Sequence, residues 1–281
     1  MGEKKGAEAL VGNRTEVVDY NGKGLVMPSC SNAHALGWAL QTAGTPVDIK
    51  DDASKFMTKI LPEAVKYARE SGATTVFGQG WNLTFFGDKR PTRQELDAIC
   101  SDIPIYFLDD ECHKALTNTI CLVNAWIMSK DGKVLKTKIR GGEIEIGTDG
   151  TPTGFLSEQA QTFVRASLDN DRLYSVDLAK SNIKQIQQHM LSSGYTMYTE
   201  GWGNYFVNTN YQDAQELDKA GEMQFNLALP YEMESWMNVD EELAKAIEAK
   251  KFASTHVHPN WIKLLVDGTV ESGTGWASRN S

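Results

Sequence analysis

Between Asp177 and Gly268 the chain alternates helix-spaced apolar segments with short apolar strands, and this pattern limits the folds open to it. Leu178, Ile183, Ile186 and Met190 fall on one helix face, and the segment stops at Gly194. The strand YTMYTEGW follows, then a helix from Gln212 to Ala220 and a strand from Met223 to Leu229. A further helix, Asp240 to Lys251, leads into WIKLLV and Asp267-Gly268. Helix and strand in strict alternation predict a parallel α/β fold, either open or closed into a barrel. Such folds carry their chemistry beyond the carboxyl ends of the strands. Neither a dinucleotide-type glycine fingerprint nor a P-loop occurs.

The N-terminal half is less regular. Thr15 to Met27 alternates apolar and polar residues around Asn21-Gly22, which predicts a tight hairpin. Asp51 to Ser71 places Phe56, Ile60, Leu61, Val65 and Ala68 at helical spacing, with Pro62 as a point of kinking and Gly72 past the end. ATTVF, at 73–77, reads as a buried strand that opens a parallel crossover unit. Thr92, with Glu95 three residues on, has the form of a capping box. Ile103 to Leu108 is a strand that ends in DDECH, Asp109 to His113, and Lys114 to Met128 reads as a helix followed by apolar structure. From Lys130 to Gly154, Asp-Gly and Gly-Gly turns flank polar alternating segments, which predicts a small exposed hairpin.

With 28 basic and 37 acidic residues the formal charge is -9, and no Lys/Arg stripe breaks it. A nucleic-acid partner is therefore not expected, and a small molecule is. No apolar run is long enough for a membrane span and the first residues lack a signal-peptide core, so the expected location is the cytoplasm. Cys30, Cys100, Cys112 and Cys121 show no CxxC spacing and read as free thiols.

Several segments together resemble the amidohydrolase superfamily, in the YtcJ-like branch that includes N-substituted formamide deformylases. They are Gly80-Trp81-Asn82, Pro91-Thr92-Arg93, Leu96-Asp97, Asp102-Ile103-Pro104-Ile105, and Glu111-Cys112-His113 through Asn118-Thr119. In the same order, Val26-Met27-Pro28 through His34 is similar to the family's MPGxxDxHxH, Asp149 to Glu158 to DGxPTGxLxE, and Ile262 to Gly268 to VKxFxDG. The resemblance implies an α/β protein with a partial TIM-type (β/α)8 metal-dependent hydrolase barrel carrying an inserted α+β segment. Residues 1–27 would be the remnant of an N-terminal β-sandwich, and 28–281 the partial barrel with its insertion at about 78–170. Family members are longer and carry further metal histidines and a catalytic Asp on later strands. The resemblance thus implies a fragment with little hydrolase activity, whose unpaired barrel edges favour self-association.

In the family a divalent metal, with zinc the first expectation, lowers the pKa of a water that attacks an amide-like C–N bond. His34 and Lys263 are the metal ligands carried over, while Leu36 stands where a second imidazole belongs and Asn32 replaces an Asp. A histidine satisfied inside the fold, with no metal held by this chain, is the competing reading of His34. His113, matching the DGH histidine, is carried over as a substrate-facing group, beside Trp81 and Glu158; the catalytic residue is unknown. For His113 and Trp81, core packing is the alternative. His256 and His258 form a literal HxH, but fall in a segment that is not a ligand segment in the family and are expected in a surface loop. Glu158 and Glu200 stand where carboxylates would face the barrel mouth, and Glu232 and Glu234 read as exposed acids at a strand end, the other reading being a carbohydrate-active barrel that uses Glu200, Glu232 or Glu234. A non-catalytic small-molecule binder on a degenerate scaffold is the alternative function.

Overall fold

The computed structural model describes residues 4–24, 27–35, 45–46, 53–82, 84–87, 89–168, 176–201 and 210–266. In chain order these form α1 (Lys4–Glu8), β1 (Cys30–Ala35), β2 (Thr45–Pro46), α2 (Leu61–Ser71), β3 (Val76–Trp81), α3 (Arg93–Ile99), β4 (Ile105–Asp109) and β5 (Lys114–Thr117). Next come α4 (Thr119–Asn124), β6 (Lys138–Ile139), β7 (Gly142–Ile146), β8 (Pro152–Glu158), α5 (Gln159–Arg165), α6 (Val176–Ser192) and β9 (Tyr195–Glu200). The chain continues with α7 (Asn210–Lys219), β10 (Asn226–Ala228), β11 (Tyr231–Met233), α8 (Val239–Ala249), β12 (Val257–His258) and β13 (Ile262–Leu264).

Two sheet systems result. One is parallel, in the order β1-β9-β10-β12, with β11 and β13 forming a parallel two-stranded continuation beyond Pro230 and Pro259. Proline has no amide hydrogen for the ladder, which explains why each of these two strands is split where it occurs. Helices α6, α7 and α8 cover the array through Ile183, Ile186, Tyr211, Ala214, Leu217 and Ala246, packed with Tyr198, Leu227 and Val257. This is the helix–strand alternation from Asp177 onward, realised with boundaries close to those the spacing predicts.

The second system is a seven-stranded mixed sheet in the order β2-β3-β4-β5-β8-β7-β6. Both of its faces are covered, so successive residues of β4 are all buried and alternate between two cores. Ile105 and Phe107 join α2 residues Leu61, Val65 and Ala68 on one side. Tyr106 and Leu108 join Leu122, Ile127 and Val164 on the other. Gly78 of β3 is required by this packing, since a Cβ there would lie 2.2 Å from the Phe107 ring. The capping box forms as expected, with Glu95 N–H donating to Thr92 Oγ1 and Thr92 N–H to Glu95 Oε2 at 2.8 Å.

Three local expectations are corrected and a fourth is refined. Lys114 to Met128 opens as strand β5, which pairs antiparallel with β4, before the short helix α4. The segment 130–154 is more than an exposed hairpin: β7 pairs with β8 inside the larger sheet and buries Ile144. Asn21 and Gly22 do adopt the positive φ of a tight turn, but no described residue of 15–27 pairs as a strand. The helix expected from Asp51 is present from residue 54 to Ser71 without a break, and its ladder widens to a π-helical turn at Phe56–Ile60 just ahead of Pro62, whose ring and missing amide hydrogen disturb the preceding turn.

Candidate active site

The carboxyl ends of the parallel strands gather charge. In the ladder between β11 and β13, Glu232 lies in register with Lys263. Glu200, the last residue of β9, is fully buried and accepts a hydrogen bond from the Tyr198 hydroxyl. Glu234 follows β11 directly and is also buried. Glu232 and Glu234 were expected to be exposed acids at a strand end, and burial overturns that reading: Glu232 is 1% exposed and Glu234 5%.

Such burial is costly for charge, and the protonation of the cluster reflects it. Burial pushes the Glu232 carboxyl well above the ordinary range, the Glu234 charge raises it further, and Lys263 opposes both. Lys263 is pushed down by burial, against the pull of Glu232, Glu200 and Glu234. Glu234 rises to about 7, chiefly through burial, with Gln159, Thr162 and Lys263 holding it back and Glu158 adding to the rise. A lysine that gives up its proton more readily, between acids that keep theirs, is an arrangement associated with chemistry more than with packing.

The mixed sheet contributes a second group. His113 Nδ1 lies 2.9 Å from Glu158 Oε2 and 3.0 Å from Oε1, and Glu158 N–H donates to the His113 carbonyl at 2.8 Å. The hydrogen bond to Glu158 raises the His113 pKa against the opposing effect of burial. Both ends of this pair sit on unusual backbone: Glu158 has φ 49 and Cys112, next to His113, has φ 66. Left-handed conformations at residues other than glycine persist only where surrounding structure imposes them. Asp109, beneath the pair, accepts from Lys114 N–H at 2.9 Å and is raised by burial to about 7.

The two groups meet because the loop after β11 is stitched to α5. Ser235 N–H donates to Gln159 Oε1 at 2.9 Å, and its hydroxyl donates to the Arg140 carbonyl at 2.6 Å. Trp236 donates from its indole to Thr162 Oγ1 at 3.2 Å and packs edge-on to Phe163. Glu234 is thereby held within electrostatic reach of both Lys263 and Glu158.

The remaining residues singled out in the sequence divide as follows. Trp81 is fully buried and donates from Nε1 to the Phe107 carbonyl at 2.9 Å, so its side chain is used in the core of the mixed sheet. His34 lies on β1, with its side chain outside the described residues, as is Leu36 entirely. His256 and His258 belong to the parallel array, His258 within β12, and they do not converge: His256 Nδ1 meets Asp218 at 2.6 Å and His258 Nε2 meets Asn226 at 3.0 Å. The surface-loop expectation is corrected for His258, which lies in a strand, while His256 sits in the bend before it. Among the described residues, no group of three or more His, Cys, Asp or Glu side chains is placed to hold a metal ion. Also among them, no helix is long and apolar enough to cross a membrane. The buried acids left one trace in the sequence, the E-x-E spacing of PYEMESW, which puts two carboxylates on one side of an extended chain.

An amidohydrolase family model matches residues 16–281, nearly the whole chain, and the chain belongs to the amidohydrolase family. It is 24% identical over 277 residues to Protein LONG AFTER FAR-RED 3 of Arabidopsis thaliana, covering 95% of this chain and 45% of that protein. It is 27% identical over 236 residues to an N-substituted formamide deformylase of Arthrobacter pascens, covering 79% of this chain and 42% of the relative. Among solved structures, an uncharacterized metal-dependent hydrolase from Pyrococcus horikoshii OT3 superposes with a TM-score of 0.51 at 20% identity, over 87% of this chain and 44% of that one. The fold is therefore shared, and the chain spans less than half the length of each of these proteins.

Proposed function

We propose that this protein is a metal-dependent hydrolase acting on amide-like C–N bonds of a small molecule, with its site at the carboxyl ends of the parallel strands. The observation that carries the reading is the buried meeting of Lys263 with Glu232, flanked by Glu200 and Glu234. Family membership and the name of the Arthrobacter pascens relative support the bond class. In this reading β1, β9, β10 with β11, and β12 with β13 are four successive strands of a (β/α)8 barrel, and the mixed sheet is inserted between the first and second of them.

His34 and Lys263 are the residues of this chain proposed as ligands of a divalent metal, with zinc as the first choice. The described side chains do not by themselves complete a metal centre. Little turnover is therefore proposed for the 281-residue chain alone. Its own residues have a definable part. Glu158 occupies Nδ1 of His113 and favours the protonated ring, which leaves Nε2 as a donor for a substrate oxygen.

A second reading, a small-molecule binder without catalysis, is favoured by the same shortage of metal-placed donors. Metal analysis of protein purified without chelators separates the two. Stoichiometric zinc that is lost in Lys263→Ala supports the hydrolase. Absence of zinc, or zinc unaffected by that substitution, supports the binder.

A further inference from the structure

We propose that the flank of α8 turned away from α7 is a self-association surface, on which a second copy of this chain packs its own α8 antiparallel about a two-fold axis near Leu243. The inference concerns assembly and does not depend on the hydrolase reading.

The surface follows from how α8 sits. Its inner face is Glu242, Ala246 and Ala249, all buried, and the Tyr231 hydroxyl of β11 donates to Glu242 Oε2 at 2.7 Å, which sets that face over β11. On one side lies α7: Gln215 donates from Nε2 to the Lys251 carbonyl at 3.1 Å, and Tyr211 stacks on Phe252. The opposite flank carries Val239, Leu243 and Ile247, four residues apart and so in one row along the helix. These apolar side chains are 65%, 40% and 57% exposed. The sheet beside them is bare as well. In the strand order β9-β10-β12, α7 connects the first two, and β13 continues the third, next to β11. Ile262 and Leu264 of β13 lie in register with Tyr231 and Met233, hence on the face of the ladder that α8 packs against, and both are exposed. A row on a helix and a floor on the neighbouring strand form one apolar patch, of the kind that marks association.

Its own copy fits this patch. The row is centred on Leu243, so a two-fold axis there sets Val239 of one copy opposite Ile247 of the other and Leu243 opposite itself. Antiparallel packing also joins unlike charges. The first turn of α8 carries the exposed Asp240 and Glu241, and its last turn runs into the exposed Lys250 and Lys251, the latter paired with Glu248 of its own helix. At both ends of the contact an acidic start then meets a basic end, with the helix dipoles opposed. Parallel packing would set like charge against like.

Sedimentation equilibrium of the 281-residue chain tests the assignment, at about 100 μM because a contact of this extent belongs to the weaker interfaces. Twice the mass of one chain is expected. Leu243→Glu should return the mass to that of a single chain, with an unchanged near-UV circular dichroism spectrum as the control on folding. Two further variants address the antiparallel pairing: Lys250→Glu with Lys251→Glu is acidic at both ends of the helix, and Asp240→Lys with Glu241→Lys is basic at both. Each alone should be monomeric, and their equimolar mixture should regain the double mass. A single-chain mass for the unsubstituted protein leaves the flank to another occupant, such as a further helix, and overturns the assignment. A dimer that survives Leu243→Glu, or a mixture that stays monomeric, overturns it too.

Discussion

The mixed sheet and the parallel array bury polar groups to different ends. In the mixed sheet, buried Asn118 caps α4, accepts from Ile105 N–H at 3.0 Å, and donates to the Cys100 and Ile103 carbonyls. Arg93, likewise buried, donates to the Pro152 carbonyl at 2.7 Å and to Thr119 and Thr151. These side chains fasten backbone to backbone. The parallel array has such a fastener too, Gln187, which accepts from Gln224 N–H and donates to the Glu222 carbonyl, but it adds the buried acids Glu200, Glu232 and Glu234 around one lysine, and several of these groups hold an altered affinity for protons. Burial that satisfies a polar group stabilises the fold, and burial that leaves a charge frustrated is tolerated where the site has another use.

Substitutions can sharpen this contrast. Phe107→Ala should be the most damaging, because the ring is fully buried against Phe56 and Gly78; a loss of about 4 kcal/mol in urea unfolding is expected. Asn118→Ala leaves several buried backbone groups without partners and should cost about 3 kcal/mol by the same measurement.

Glu234→Gln should act in the opposite sense. Its carboxyl is raised from 4.5 to about 7 in the fold, so the folded state binds more protons between these values and stability falls as pH rises across that window. The substitution should remove its share of that fall, a gain of about 2 kcal/mol above neutral pH. Chemical unfolding at several pH values reads the slope, and a loss of stability at high pH would break the contrast. Asp109→Asn should flatten the same curve between 3.8 and about 7. Smallest of all, Thr92→Ala removes the cap of α3 and should cost about 1 kcal/mol.

Much of the parallel array was legible in the sequence because its helices carry a one-sided apolar face. Ile183 and Ile186 of α6 sit where the spacing puts them, and the capping box at Thr92 is equally local. The mixed sheet was harder. With both faces covered, β4 loses the alternation that marks a half-buried strand, and β5 and α4 merge into one apolar run. At the site, resemblance pointed to Lys263 and His113. It did not reveal the pairing of His113 with a carboxylate 45 residues away, nor the burial of Glu200, Glu232 and Glu234. The pairing follows from the antiparallel ladder of β5 with β8, which sets Lys114 opposite Ser157, and the loop after β11, which carries Glu234, docks on α5; no local pattern encodes either contact.

The charges around Lys263 are proposed to serve the site and not to hold the fold together. The urea unfolding midpoint of the double variant Lys263→Met, Glu232→Gln at neutral pH tests this most directly. A midpoint equal to or above that of the unsubstituted chain is predicted, since replacing a buried pair with uncharged groups of similar size is often neutral or stabilising. A midpoint lowered by as much as that of Asn118→Ala would contradict it and make the cluster a structural one.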